Sequence, residues 1–93
     1  MTYMSDGIFA TADLSATVDE LVTIWRTVLR NDALHAYSDL LESGGTSLTA
    51  VRIVAYVRED LGREVSIAQV LDHPTPESLA AVVRAAPACD EDF

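Results

Sequence analysis

The sequence contains no lysine, and its positive charge rests on six arginines against fifteen acidic residues, a net charge of −9. A nucleic-acid binder needs a basic footprint to neutralise phosphates, so that class is excluded. The acidic balance suits partners with basic docking surfaces, and it also serves solubility. Cysteine is nearly absent. Cys89 alone cannot build an internal disulfide framework, which fits a cytoplasmic location, and it reads as a tail thiol in "ACDEDF". Long apolar runs are missing too: the longest are five residues, Ile53 to Val57 and Leu79 to Val83. A membrane span needs about 20, so none is expected. The opening "MTYMSDG" has no basic region followed by an apolar stretch, and no secretory signal is read there.

What is present is an ordinary folded composition, 49% hydrophobic and 23% charged, over 93 residues. A chain of that size buries only about 60–65% of its unfolded surface, enough for one modest core but hardly for a deep cleft as well. Residues 1–14 carry little pattern and read as a loosely ordered lead-in. Residues 15–86 hold the periodic segments, and 87–93 form an acidic tail.

Within 15–86 the signals are helical. Thr17-Val18-Asp19-Glu20 has capping-box spacing and predicts a helix start, followed by Val18, Leu21, Val22, Trp25, Val28 and Leu29 at helical period, ending near Arg30-Asn31. From Asn31 to Thr46 no period persists; loops of that length in small domains are usually functional, with Leu34, Leu40 and Leu41 expected to pin this one to the core. A second helix is predicted from Ser47 to about Leu61, stopped by Gly62. Ser66-Ile67-Ala68-Gln69 is a capping box opening a short helix to about Leu71. Thr75 can cap and Pro76 can open a last helix to about Ala86, with Leu79, Val82 and Val83 inward and Pro87 as stop. No segment alternates convincingly as a strand. The predicted class is all-α: three main helices, one short helix and a long first loop.

The second helix carries two apolar stripes. Ala50, Ile53, Val54, Val57 and Leu61 follow core spacing. Leu48, Val51 and Ala55 form a smaller stripe beginning beside Ser47. It either packs under the long loop or faces a partner; Leu48 and Ala55 are expected at the surface.

The stretch that raises a chemical question is "ESGGTSLTAV", Glu42 to Val51, with the chain's only Gly-Gly pair just ahead of a serine. A phosphate-binding Walker loop requires a lysine and is excluded. A nucleophile elbow requires G-x-S-x-G, and Gly45-Thr46-Ser47-Leu48-Thr49 lacks the second glycine. His35 and His73, the only histidines, sit in a loop and before a proline, and with Cys89 they show no metal-ligand spacing. Glu59-Asp60 reads as a solvated helix face. No catalytic residue and no metal ligand is assigned. Two readings stay open: an ordinary serine cap after a Gly-Gly turn, or a serine displayed for an outside enzyme, at a helix start that favours an attached phosphate.

A resemblance bears on that choice. "LESGGTSL" resembles the thiolation motif of carrier domains, with its Gly-Gly-x-Ser-Leu core. "VDELVTIWRTVL", "SDLLESGGTSLTAVRIVAYVREDLG" and "VSIAQVLDHPTPESLAAVV" resemble, in order, that family's first helix, its loop and second helix, and its closing helices. Over roughly Val18 to Ala86 the chain resembles a peptidyl carrier protein of nonribosomal peptide synthesis, within the acyl carrier superfamily.

The resemblance implies a four-helix carrier bundle that catalyses nothing itself. It implies that Ser47, in the motif loop Gly44-Gly45-Thr46, receives 4′-phosphopantetheine from coenzyme A through a phosphopantetheinyl transferase. The arm's thiol would hold an aminoacyl or peptidyl group as a thioester for an adenylation enzyme and for condensation, tailoring or thioesterase enzymes. The docking strip it implies is Leu48, Val51, Arg52 and Ala55, on a monomer. There are departures. Thr46 stands where Asp or His is frequent, Leu40-Leu41 replaces a common Phe-Phe, Ser43 replaces a common Leu, and Arg52 and Arg58 make the second helix less acidic than in fatty-acid carriers. A carrier for polyketide or other acyl chains is the alternative, and a cofactor-free helical interaction module the third. Met1 and the short tails suggest a discrete carrier. Cargo and pathway are not legible.

Overall fold

The computed structural model describes residues 6–88, with side chains from residue 14 onward. Four helices follow in order: α1 Asp6–Leu29, α2 Ser47–Tyr56, α3 Ile67–Asp72 and α4 Pro76–Ala85. α2 runs on into a π-helical turn, Val57–Leu61. Among the described residues the only extended pairing is an isolated antiparallel bridge between Arg63 and Ala88. None of the described helices is long and apolar enough to cross a membrane. The all-α class and the count of three main helices and one short one match the expectation.

The first helix starts well ahead of Thr17. It begins at Asp6 and runs unbroken through the T-x-x-E signature. The physical reason is the absence of any glycine or proline between Ile8 and Leu29, with Ala10, Ala12 and Ala16 all strong helix formers. Thr17 is buried inside the helix instead of capping it. Its end is as expected: Arg30 turns left-handed at φ 55° and the Asn31 amide donates to the Arg26 carbonyl at 3.1 Å. Cys89 and the acidic residues of the tail lie outside the described residues.

α1 packs chiefly on α4 and α2, and the core lies between them. Leu21, Trp25, Ile53, Val57, Val70, Leu79 and Val83 fill it, with Leu34 and Leu40 reaching in from the long loop. Ile24 joins them, although the stripe read from sequence omits it. Leu41 does not. It is 51% exposed, because Asp39 Oδ1 accepts from the amides of both Leu41 and Glu42 and starts a tight turn that swings Leu41 outward. Of the α2 core stripe, Ala50, Ile53 and Val57 are fully buried, whereas Val54 and Leu61 are half-buried.

The remaining caps follow the sequence closely. Gly62 closes the π-helical turn at φ 67°, a conformation open to glycine at little cost. Ser66 and Gln69 exchange both capping-box hydrogen bonds at α3. Thr75 and Ser78 do the same at α4, with Pro76 in the first turn, where a missing N–H removes no helical bond.

Candidate functional site

The approach to Ser47 is built by a turn that begins at Asp39. The Asp39 carboxylate caps the amides of Leu41 and Glu42 at 2.8 and 3.0 Å. Gly45 N–H then donates to the Leu40 carbonyl at 2.8 Å, and Gly44 N–H to the Leu41 carbonyl at 3.2 Å. That pair of bonds, with Gly44 left-handed at φ 97°, is a Schellman stop.

The two glycines therefore do different things. Gly44 supplies a backbone angle that an L side chain rarely adopts, and a Cβ there would meet nothing within 4 Å. Gly45 has no positive φ. A Cβ on it would stand 2.7 Å from the Leu40 carbonyl oxygen and 2.8 Å from Leu40 Cδ1. What Gly45 provides is close approach to a buried leucine.

Thr46, rather than Ser47, is the cap of α2. Its Oγ1 accepts from the Thr49 amide at 3.4 Å, and its own amide donates to Thr49 Oγ1 at 3.1 Å. A capping box normally closes with Glu or Gln; here a second threonine does the work, so the spacing T-x-x-T was the signal available. Ser47 is the first helical residue. It is exposed, and its hydroxyl makes no hydrogen bond among the described residues. The capping box takes the amides of Thr46 and Thr49, and those of Ser47 and Leu48 have no intrahelical acceptor. The positive end of the helix dipole lies at the same place. A free hydroxyl beside two unsatisfied amides suits a negatively charged phosphate ester on Ser47.

The second α2 stripe faces solvent. Leu48 is 64% and Val51 43% exposed, and Arg52 and Ala55 are also exposed. The question left open for Val51 is thereby settled in favour of the surface. Neither histidine hydrogen-bonds Ser47: His35 Nδ1 accepts from the Tyr37 amide at 3.1 Å, and His73 closes α3. No group of three His, Cys, Asp or Glu side chains among the described residues could hold a metal ion.

Comparison with known proteins agrees with this geometry. A family model described as "Phosphopantetheine attachment site" matches residues 19–83. Surfactin synthase subunit 1 of Bacillus subtilis (strain 168) is 32% identical over 83 residues, covering 89% of this chain and 2% of its own length. Indigoidine synthase of Streptomyces lavendulae is 36% identical over 69 residues, covering 74% of this chain and 5% of its own. The chain thus spans a few hundredths of the length of these relatives. Among solved structures, BlmI, a type-II acyl-carrier-protein from Streptomyces verticillus involved in bleomycin biosynthesis, superposes with a TM-score of 0.76 at 26% identity, covering 82% of this chain and 92% of that one. A nonribosomal PCP domain superposes with a TM-score of 0.67 at 30% identity, covering 80% and 91%.

Proposed function

This chain belongs to the phosphopantetheine attachment-site family, and from that premise we propose that Ser47 is the residue that carries the group, in a carrier that serves nonribosomal peptide synthesis. The family binds 4′-phosphopantetheine covalently and is not itself catalytic. The observation that supports Ser47 is its place: first residue of α2, exposed, its hydroxyl unbonded, the neighbouring hydroxyls of Thr46 and Thr49 engaged with each other's amides.

When bound, the group supplies a long arm ending in a thiol that can hold an aminoacyl or peptidyl cargo as a thioester. The protein's part is to present the serine and keep the arm near its enzymes, which raises the effective concentration of the cargo. The base that activates the Ser47 hydroxyl comes from a phosphopantetheinyl transferase using coenzyme A. Leu48, Val51, Arg52 and Ala55 form the docking strip for the transferase, an adenylation enzyme and downstream condensation, tailoring or thioesterase enzymes. Residues 15–86, with α1 continuing back to Asp6, are the carrier unit, acting as a monomer in the cytoplasm.

Incubation with coenzyme A and a promiscuous transferase should add one phosphopantetheinyl mass to the intact protein. Ser47→Ala should add none while its melting temperature stays within about 2 °C of the parent, because the hydroxyl holds nothing in the fold. An unmodified parent, or a loaded Ser47→Ala, overturns the assignment.

The likeness to a type-II acyl-carrier-protein favours a second reading, a carrier for polyketide or other acyl chains. Loading by amino-acid adenylation enzymes, compared with loading from acyl-coenzyme A, separates the two.

A further inference from the structure

The long loop reaches the serine through one buried residue, Leu40, and all three of its handles are in use. Its side chain is fully buried in the core. Its carbonyl accepts from Gly45, two residues ahead of Ser47. Its amide donates at 2.8 Å to the carbonyl of Pro74, in the turn that leads into α4. The same Pro74 carbonyl accepts from the indole Nε1 of Trp25 on α1, at 3.2 Å. Both acceptor sites of that one oxygen are therefore taken, one by the serine loop and one by α1. A second tie runs parallel: the Glu77 amide in the first turn of α4 donates to the Ala36 carbonyl at 2.9 Å.

We propose that this chain of contacts, from Trp25 through the Pro74 carbonyl and Leu40 to Gly45, sets where Ser47 is presented, and that Trp25 and Gly45 are positioning residues for its modification. The start of α4 is the platform. Thr75 and Ser78 lock that start with a reciprocal capping box, which fixes the direction of the preceding Pro74 carbonyl. Leu40 hangs from it, and Gly45 is held against Leu40 too closely for any Cβ. The chain then has only Thr46 between Gly45 and the serine. The docking strip begins beside Ser47 at Leu48 and runs along α2 through Val51 to Ala55. A shift at Gly45 confined to the first turn therefore moves the reacting hydroxyl more than it moves most of the surface that binds the transferase.

The proposal rests on Ser47 being the modified residue. Its test uses the full chain as the substrate of the transferase, with kcat and KM for the carrier measured separately. Trp25→Phe keeps most of the aromatic volume and deletes the indole N–H. Gly45→Ala pushes on the Leu40 carbonyl. The expectation is a fall in kcat of about tenfold for Gly45→Ala and about threefold for Trp25→Phe, since small misplacements of a reacting group are costly, with KM nearly unchanged. Thermal unfolding reports stability alongside. If Gly45→Ala fails to fold, Trp25→Phe still decides the matter, because it leaves the loop sequence intact.

The inference is overturned if folded variants keep the parental kcat and lose only stability, or if the whole loss appears in KM. A parent that takes up no group at all points instead to failure of the Ser47 assignment, and the Ser47→Ala control separates those two failures.

Discussion

Two helix starts in this molecule share the same chemistry and end up with opposite tasks. α2 opens with Thr46-Ser47-Leu48-Thr49 and α4 with Thr75-Pro76-Glu77-Ser78. Both are capped by a threonine whose hydroxyl accepts from the amide three residues on, and in both a hydroxyl at that third position returns the bond. They differ in the first helical residue and in what lies beneath it. Pro76 is buried and Thr75 half-buried, whereas Thr46 and Ser47 are exposed. Capping alone therefore does not make a site. One start is sunk into the core and serves as an anchor; the other is held out from it, with its serine free.

If that division of labour is right, perturbing the connection between the two starts matters most. Leu40→Ala removes the buried side chain that joins the serine loop to the core, and it should destabilise by about 2–5 kcal/mol in urea unfolding. Next comes the contrast between the caps. Thr75→Ala should cost about 2 kcal/mol and Thr46→Ala about 0.5–1 kcal/mol, since a half-buried cap leaves its partner amide less access to water. Equal costs for the two would break the comparison. Gly44→Ala should cost about 1 kcal/mol through its left-handed angle alone, a change readable as a shift in denaturation midpoint without a change in slope. The smallest stability effect is expected at Val51→Asp, within about 0.5 kcal/mol. That variant should instead raise the transferase KM for the carrier, which would sharpen the line between the docking strip and the positioning contacts.

Much of this was legible in the residues, and the parts that were not have identifiable causes. Ser66-x-x-Gln69, Thr75-Pro76 and Gly62 gave their helix ends because each signal has one dominant physical use. Thr17-x-x-Glu20 misled because the same spacing is harmless inside a helix, and nothing upstream breaks the chain. Leu40 and Leu41 look equivalent in sequence. Only the Asp39 cap, which orients the turn, sends one to the core and the other to solvent. The exposed stripe of α2 followed from its period, whereas the shared Pro74 carbonyl joins residues 25, 40 and 74, a contact no local pattern encodes.

The site itself shows the same mixture. Gly-Gly ahead of a serine marked the place, and the structure divides the work between the two: a left-handed angle at Gly44 and a close approach to Leu40 at Gly45. Thr46 emerged as the cap, which leaves the Ser47 hydroxyl uncommitted.

That last point gives the most direct test. Four hydroxyls lie close together in sequence, on Ser43, Thr46, Ser47 and Thr49. After loading with coenzyme A and a transferase, fragmentation of the peptide that contains them should place the phosphopantetheinyl group on Ser47 alone, with Thr46 and Thr49 unmodified. A group found on Ser43, Thr46 or Thr49, or distributed among the four, would contradict the account.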